Sequence, residues 1–146
     1  QEEVGLRGAE MIVNKIKPDV AIVTDVCHET SSPAYDKSRQ GEFIAGSGAV
    51  LPIGPAIQHN LYNKIRNVAK NKSIKTQLAA VSSYTGTDAD AFAFNGEGVA
   101  TALIKFPLKY MHTTVETVHK KDVKIVINLI YNTLRNIEEN ENFKYI

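Results

Sequence analysis

The 146-residue sequence holds a single cysteine, Cys27, so no disulfide can form within it. That usage suits a reducing compartment and gives the expectation of a cytoplasmic protein. Charge of neither sign is in excess: 17 basic and 16 acidic residues are mixed along the chain, for a net charge of +1. Neither nucleic acid nor a membrane surface is therefore expected as a partner. No apolar run approaches the length that spans a bilayer. Repeats and low-complexity tracts are missing, and the opening residues lack a basic-then-apolar leader pattern. Gln1 is not an initiator residue, which reads as a truncated or processed start.

What is present is an ordinary apolar fraction, 43%, in a length that fits one domain with a real core. Its periodicity alternates between helix and strand. Residues 5–15 predict a helix whose apolar side carries Leu6, Ala9, Ile12, Val13 and Ile16, stopped by Pro18. Residues 20–23 are a short apolar run, expected as a central strand buried on both faces. Residues 30–40 read as loop. Residues 41–54 are glycine-spaced and predict an edge strand bent at Gly46 and Gly48.

The next predicted helix covers residues 56–70, with Ile57, Leu61, Ile65 and Val68 as its stripe. A strand is expected at 76–81 and a short helix at 87–94 with Thr87 as N-cap. A second central strand follows at 100–106. Asp122 is read as N-cap of a last helix with Val123, Val126, Ile127, Ile130, Leu134 and Ile137 on its buried side. The tail after residue 138 is polar and is expected to fray. The alternation predicts an α/β fold of three layers, a mainly parallel or mixed sheet with flanking helices.

Three segments carry the chemistry. Gln1-Glu2-Glu3-Val4-Gly5 places adjacent carboxylates at a helix start. Asp25-Val26-Cys27-His28 is read as closing the first strand. Pro107-Leu108-Lys109-Tyr110-Met111-His112 follows the last one. All three fall where open α/β sheets bind ligands, outside the carboxyl ends of strands. Carboxylate and imidazole suit zinc and related divalent ions. Singly, each has a plainer reading: helix-dipole partners, a turn residue, a hydrogen-bonded histidine.

Together and in this order, the segments resemble the co-catalytic metallo-aminopeptidases that form tetrahedral (TET) assemblies. That group includes glutamyl and deblocking aminopeptidases and relatives once misnamed cellulase M. The resemblance runs from residue 1 to about 137 and covers the second half of a family member. It implies the C-terminal portion of a metallo-exopeptidase catalytic domain, with the N-terminal portion and the inserted lid domain absent. It also implies peptide substrates, two divalent metal ions (zinc or cobalt) in the complete enzyme and a homo-oligomer. By resemblance, Glu2 is the general base, Glu3 and His112 hold one metal, and Asp25 holds the second. The family's other two ligands, a His and a bridging Asp, belong to the missing half. The chain alone is thus expected to be inactive; the alternative is a non-catalytic structural or peptide-binding fragment.

Further candidates are secondary. Gly86-Thr87-Asp88 resembles a family segment near the substrate cleft, and His28 stands where it could support a ligand. Glu116, four residues after His112, is a candidate for orienting that histidine. Asp88-x-Asp90 reads as a solvated helix face, and His59 and His119 read as surface. Cys27 has no arrangement of a thiol nucleophile. Gly46-x-Gly48 lacks what a phosphate loop needs. Lys109 and Thr114 stand where many members have Arg and Pro, and residues 45–53 are longer and more apolar than usual. These departures bear on substrate preference.

Overall fold

A computed structural model describes residues 1–33 and 35–143. A 3-10 turn at Glu2–Val4 leads into α1, Arg7–Ile16, which ends at Lys17 in the left-handed region before Pro18. The β-branched run after it opens strand β1, Val20–His28. A short helix α2, Lys37–Gln40, interrupts the stretch read as loop; its N-cap Asp36 accepts from the Ser38 amide. Then come β2 (Ala49–Ile53), α3 (His59–Asn71), β3 (Thr76–Ala80), α4 (Asp88–Phe94) and β4 (Ala100–Lys109). A two-residue strand β5, Thr117–Val118, and the long α5, Lys120–Asn136, complete the described elements.

The sheet is mixed, with order β1-β4-β2-β3 and β5 joined to the end of β4. β1 and β4 run parallel, in register from Val20↔Ala100 through His28↔Leu108. β2 crosses β4 antiparallel at Val50↔Lys105, and β3 is parallel to β2. β4 is therefore interior, and Thr101 through Ile104 are fully buried or nearly so. Helices α3 and α5 pack on each other and on β2 and β4; α4 packs on β4 and β1, with α1 against it. Leu51, Leu61, Ile65, Ile104 and Leu129 are the large side chains at the centre of the core.

Several sequence expectations give way here. β1 runs three residues past Asp25, because its pairing with β4 continues to His28 and the Glu29 amide still donates to the Leu108 carbonyl. Asp25 thus lies within the strand and does not close it. β1 is also an edge strand among the described residues, not a central one, and most of its side chains are only partly buried. β2 is the reverse: read as an edge, it sits between β4 and β3. The bends before it are real, with φ +85° at Gly46 and +113° at Gly48. A Cβ at Gly48 would lie 2.2 Å from the Lys75 carbonyl oxygen, so the two chains approach there as only glycine allows.

The α3 stripe is buried as expected, but two others are not. In α1 only Ala9 and Val13 are buried, while Ile12 and Ile16 are largely exposed. In α5 the buried residues are Asp122, Val126, Leu129 and Thr133, and Ile127 and Leu134 face outward. The tail is held through Phe143, which is buried, and the Gln58 amide donates to its carbonyl. Lys64 pairs with Glu141 at 2.9 Å. Residues 144–146 lie outside the described residues.

Asp122 is not the N-cap of α5. His119 caps that helix, its Nδ1 accepting from the Lys121 amide. Asp122 is fully buried, and its carboxylate accepts from the backbone N–H groups of Gly46 at 2.6 Å and Gly48 at 2.9 Å. This bracket fixes the bend that feeds β2 onto the start of α5. Asp122→Ala would strand two amides, each costing about 1–3 kcal/mol when unpaired. Urea unfolding should show a loss of about 2–4 kcal/mol, and less for Asp122→Asn, which keeps one acceptor. An unchanged midpoint for Asp122→Ala would refute the bracket.

Cys27, in β1, has its thiol pushed up to about 12 by burial, with Asp25 and Asp122 adding and Lys105 opposing. The thiolate is the reactive form. Alkylation at pH 8 should therefore be at least roughly tenfold slower in the folded protein than in urea. Equal rates would show the thiol to be open.

Candidate active site

The parallel pairing of β1 and β4 decides where the chemistry-bearing residues meet. Asp25 lies in the last half of β1, beside Lys105 in register. His112 lies three residues beyond β4, in a turn where Tyr110 and His112 both adopt positive φ, 56° and 62°. Such values are unfavourable for non-glycine residues and need local support. It is there: the Glu116 carboxylate accepts the His112 amide at 2.6 Å, and the Thr113 hydroxyl donates to the Tyr110 carbonyl at 2.6 Å. The segment then pairs back on β4 through β5.

The 3-10 turn Glu2–Val4 carries the adjacent carboxylates to the same edge. His112 Nε2 lies 3.2 Å from Glu3 Oε1, although 109 residues separate them. Both side chains are mostly exposed, at 66% and 71%. Glu2 is held above the usual carboxylate range by burial first, then by the negative charges of Asp25, Glu3 and Asp88. Asp88 is raised likewise, by burial and then by Asp25. Its Oδ1 is closed off from solvent and has no hydrogen-bond partner among the described residues. Glu2, Glu3, Asp25, Asp88 and His112 thus belong to one electrostatic neighbourhood.

Asp88 reaches it by a route that strand order alone does not give. β2 and β3 end at the opposite edge of the sheet, because β2 is antiparallel to β4. Residues 81–87 return across the molecule before Thr87 starts α4, its hydroxyl accepting from the Ala89 amide. Asp90 departs from the expectation of a solvated face. It is buried, and accepts from the amides of Thr85 and Gly86. Its carboxylate reaches past the N-cap Thr87 to the two residues before it, so these bonds are not those of a capping box.

His28 turns elsewhere. Its Nδ1 is 2.8 Å from the Tyr35 hydroxyl, and the two rings pack at 5.1 Å. Glu29, which sequence reasoning passed over, is buried at the end of β1. It accepts from the amide and hydroxyl of Ser31 at 3.1 and 2.8 Å, and Lys109 Nζ stands 3.9 Å away. His59 and His119 are exposed as expected.

The neighbourhood is an open shelf. Two concavities of about 500 and 410 Å³ lie near the beginnings of β1 and β4, lined in part by Asp19, Val99 and Ala100, and contain none of these residues. In donor chemistry, carboxylates beside an imidazole fit a divalent metal. In number they are partial: among the described residues, no group of three or more His, Cys, Asp or Glu is arranged to hold a metal ion.

Known proteins supply a frame for this geometry. The family model for M42 glutamyl aminopeptidases matches residues 1–129. A lysyl aminopeptidase of Pyrococcus furiosus is 38% identical over 131 residues, which are 88% of this chain and 36% of that protein. The crystal structure of a TET aminopeptidase from a marine-sediment Thaumarchaeota archaeon superposes with a TM-score of 0.86. It is 30% identical, over 95% of this chain and 39% of that one. The TET1 peptidase of Pyrococcus horikoshii, which can assemble into a tetrahedron or a large octahedral shell, gives 0.70 at 29% identity, over 91% and 38%. The chain spans a little over a third of the length of these relatives. Fold, segment order and family match agree, and this chain belongs to the M42 glutamyl aminopeptidase family.

Proposed function

We propose that this chain is the C-terminal part of the catalytic domain of a metal-dependent aminopeptidase, which removes N-terminal residues from peptides. The observation that carries the reading is the meeting of Glu3 and His112 at 3.2 Å, next to Glu2, which itself feels the charges of Asp25 and Asp88. Glu3 and His112 would hold one divalent ion, zinc or cobalt, and Asp25 a second; bound there, such ions supply a water of lowered pKa. Because the donors present are partial, the remaining ligands come from the rest of the domain. The 146-residue chain by itself is then inactive.

Glu2 is the general base. It stands next to Glu3 in sequence and shares its neighbourhood, yet it is not paired with His112. In this role its carboxylate takes a proton from the attacking water and delivers it to the nitrogen of the departing amine. The acidic shelf also draws in the free amino terminus of a peptide, which is cationic near neutral pH. The assembly is a homo-oligomer. Support comes from the TET1 relative and from the apolar residues Met11, Ile127, Tyr131 and Leu134, all exposed in the single chain.

Supplying the missing part of the domain, by co-expression, should convert an inactive chain into one that hydrolyses aminoacyl p-nitroanilides and loses that activity to a chelator. Strong, chelator-sensitive turnover by the 146 residues alone would overturn this division of ligands. In the complemented enzyme, Glu2→Gln should lower kcat on the order of 10²–10⁴-fold with metal content intact. Glu3→Gln should lower metal content as well. Elemental analysis of the two variants decides the roles, and the reverse pattern would exchange them.

A further inference from the structure

We propose that Asp90 is a positioning residue: it folds the loop at 85–88 and so sets Asp88 on the acidic shelf it shares with Glu2 and Asp25. Asp90 is a buried carboxylate with no cationic partner among its hydrogen-bond donors. Asp90 is 6% exposed. Its Oδ1 accepts from the amide and the hydroxyl of Thr85, each at 2.9 Å, and its Oδ2 accepts from the amide of Gly86 at 2.9 Å. The Thr85 hydroxyl also lies 2.9 Å from that of Thr87, whose oxygen caps α4. A single side chain thus gathers consecutive backbone amides into one tight turn.

The turn has the conformation this gathering demands. Gly86 sits at φ +68°, while a Cβ there would meet nothing within 4 Å. Glycine is needed at that point for its backbone freedom and not for lack of room. Two residues on, Asp88 opens α4 with its Oδ1 sealed from solvent and unpartnered. Like charges repel, so Asp88 would leave Asp25 and Glu2 if its backbone were free to move. Asp90 holds the two residues that lead into Thr87, and Thr87 caps the helix that Asp88 opens, so the approach of that backbone is set from Asp90. One acid is spent on backbone amides so that another can stand unpaired beside its own kind.

The inference rests on the proposed reading only for its consequence in catalysis. There, Asp88 adds to the negative field that draws the cationic end of a peptide, so the loop serves binding and not the chemical step.

Amide hydrogen exchange by NMR on the 146-residue chain tests the positioning. Asp90→Asn replaces one acceptor oxygen with a donor. The Thr85 and Gly86 amides should then exchange at least tenfold faster, while Leu103 and Ile104 in β4 keep their rates. Thr85→Val, which removes only the hydroxyl, should give the same pattern more weakly and serves if Asp90→Asn does not fold. Acceleration spread over the whole chain, or none at Thr85 and Gly86, would overturn the proposal.

In the complemented enzyme, Asp90→Asn should raise KM for an aminoacyl p-nitroanilide about fivefold with kcat within twofold. Adding Asp88→Asn should raise KM no further. A fall in kcat with KM unchanged would also overturn it. If the exchange pattern appears but the complemented wild-type enzyme cleaves nothing, the aminopeptidase reading fails and the positioning of Asp88 stands.

Discussion

The parallel pairing of β1 with β4 is the constraint on which the rest of this structure depends. It aligns Val20 with Ala100 and His28 with Leu108, and so sends the ends of two strands, far apart in sequence, to one edge. Asp25 rides on one strand and His112 follows the other. A slip of two residues would keep every side chain on its face yet move Asp25 about 6–7 Å along the sheet. That distance exceeds the reach of any hydrogen bond or metal–ligand contact. β4 is held in place by burial of Thr101 through Ile104 and by antiparallel contact with β2. The Asp122 bracket fixes β2 in turn. The positions of the site residues therefore trace back to the core.

The same residue type does two kinds of work here, and its partners tell them apart. Glu29, Asp90 and Asp122 are buried and point at amide and hydroxyl donors of nearby loops. A carboxylate so placed ties down backbone that has no ladder of its own. Glu2 and Asp88 have neighbours of their own charge, and burial and repulsion hold both above the usual range. Such crowding destabilises a fold unless something else opposes it, and it is the arrangement expected where a cation is to be received. Asp90 and Asp88 show both kinds within one turn of α4, with a single residue between them.

Much of this was legible in the sequence. The strands at 20–23, 76–81 and 100–106 and the long helices announced themselves by period, and Thr87 by its capping chemistry. The three segments at 1–5, 25–28 and 107–112 were sufficient for the family. What the sequence hid was tertiary. Period alone could not say that Asp25 is followed by three more paired residues, since that depends on β4 being as long as β1. It could not separate an N-cap from a buried acid three positions inside a helix, because Asp122 satisfies loop glycines 74 and 76 residues away. Ile12, Ile127 and Leu134 lay on plausible stripes but are exposed, because α1 and α5 are each covered along a narrower strip. Asp88-x-Asp90 looked like a solvated face for want of knowing that residues 81–87 fold back over it.

The β1–β4 pairing and the 3-10 turn ahead of α1 together bring Glu3 and His112 into contact. Nuclear Overhauser spectroscopy on the isotope-labelled chain tests it most directly. The account predicts cross-peaks between the His112 ring protons and the Glu3 side-chain methylenes, alongside backbone cross-peaks between Val23 and Leu103. Folded, assigned spectra with the strand cross-peaks present and the Glu3–His112 ones missing would contradict it.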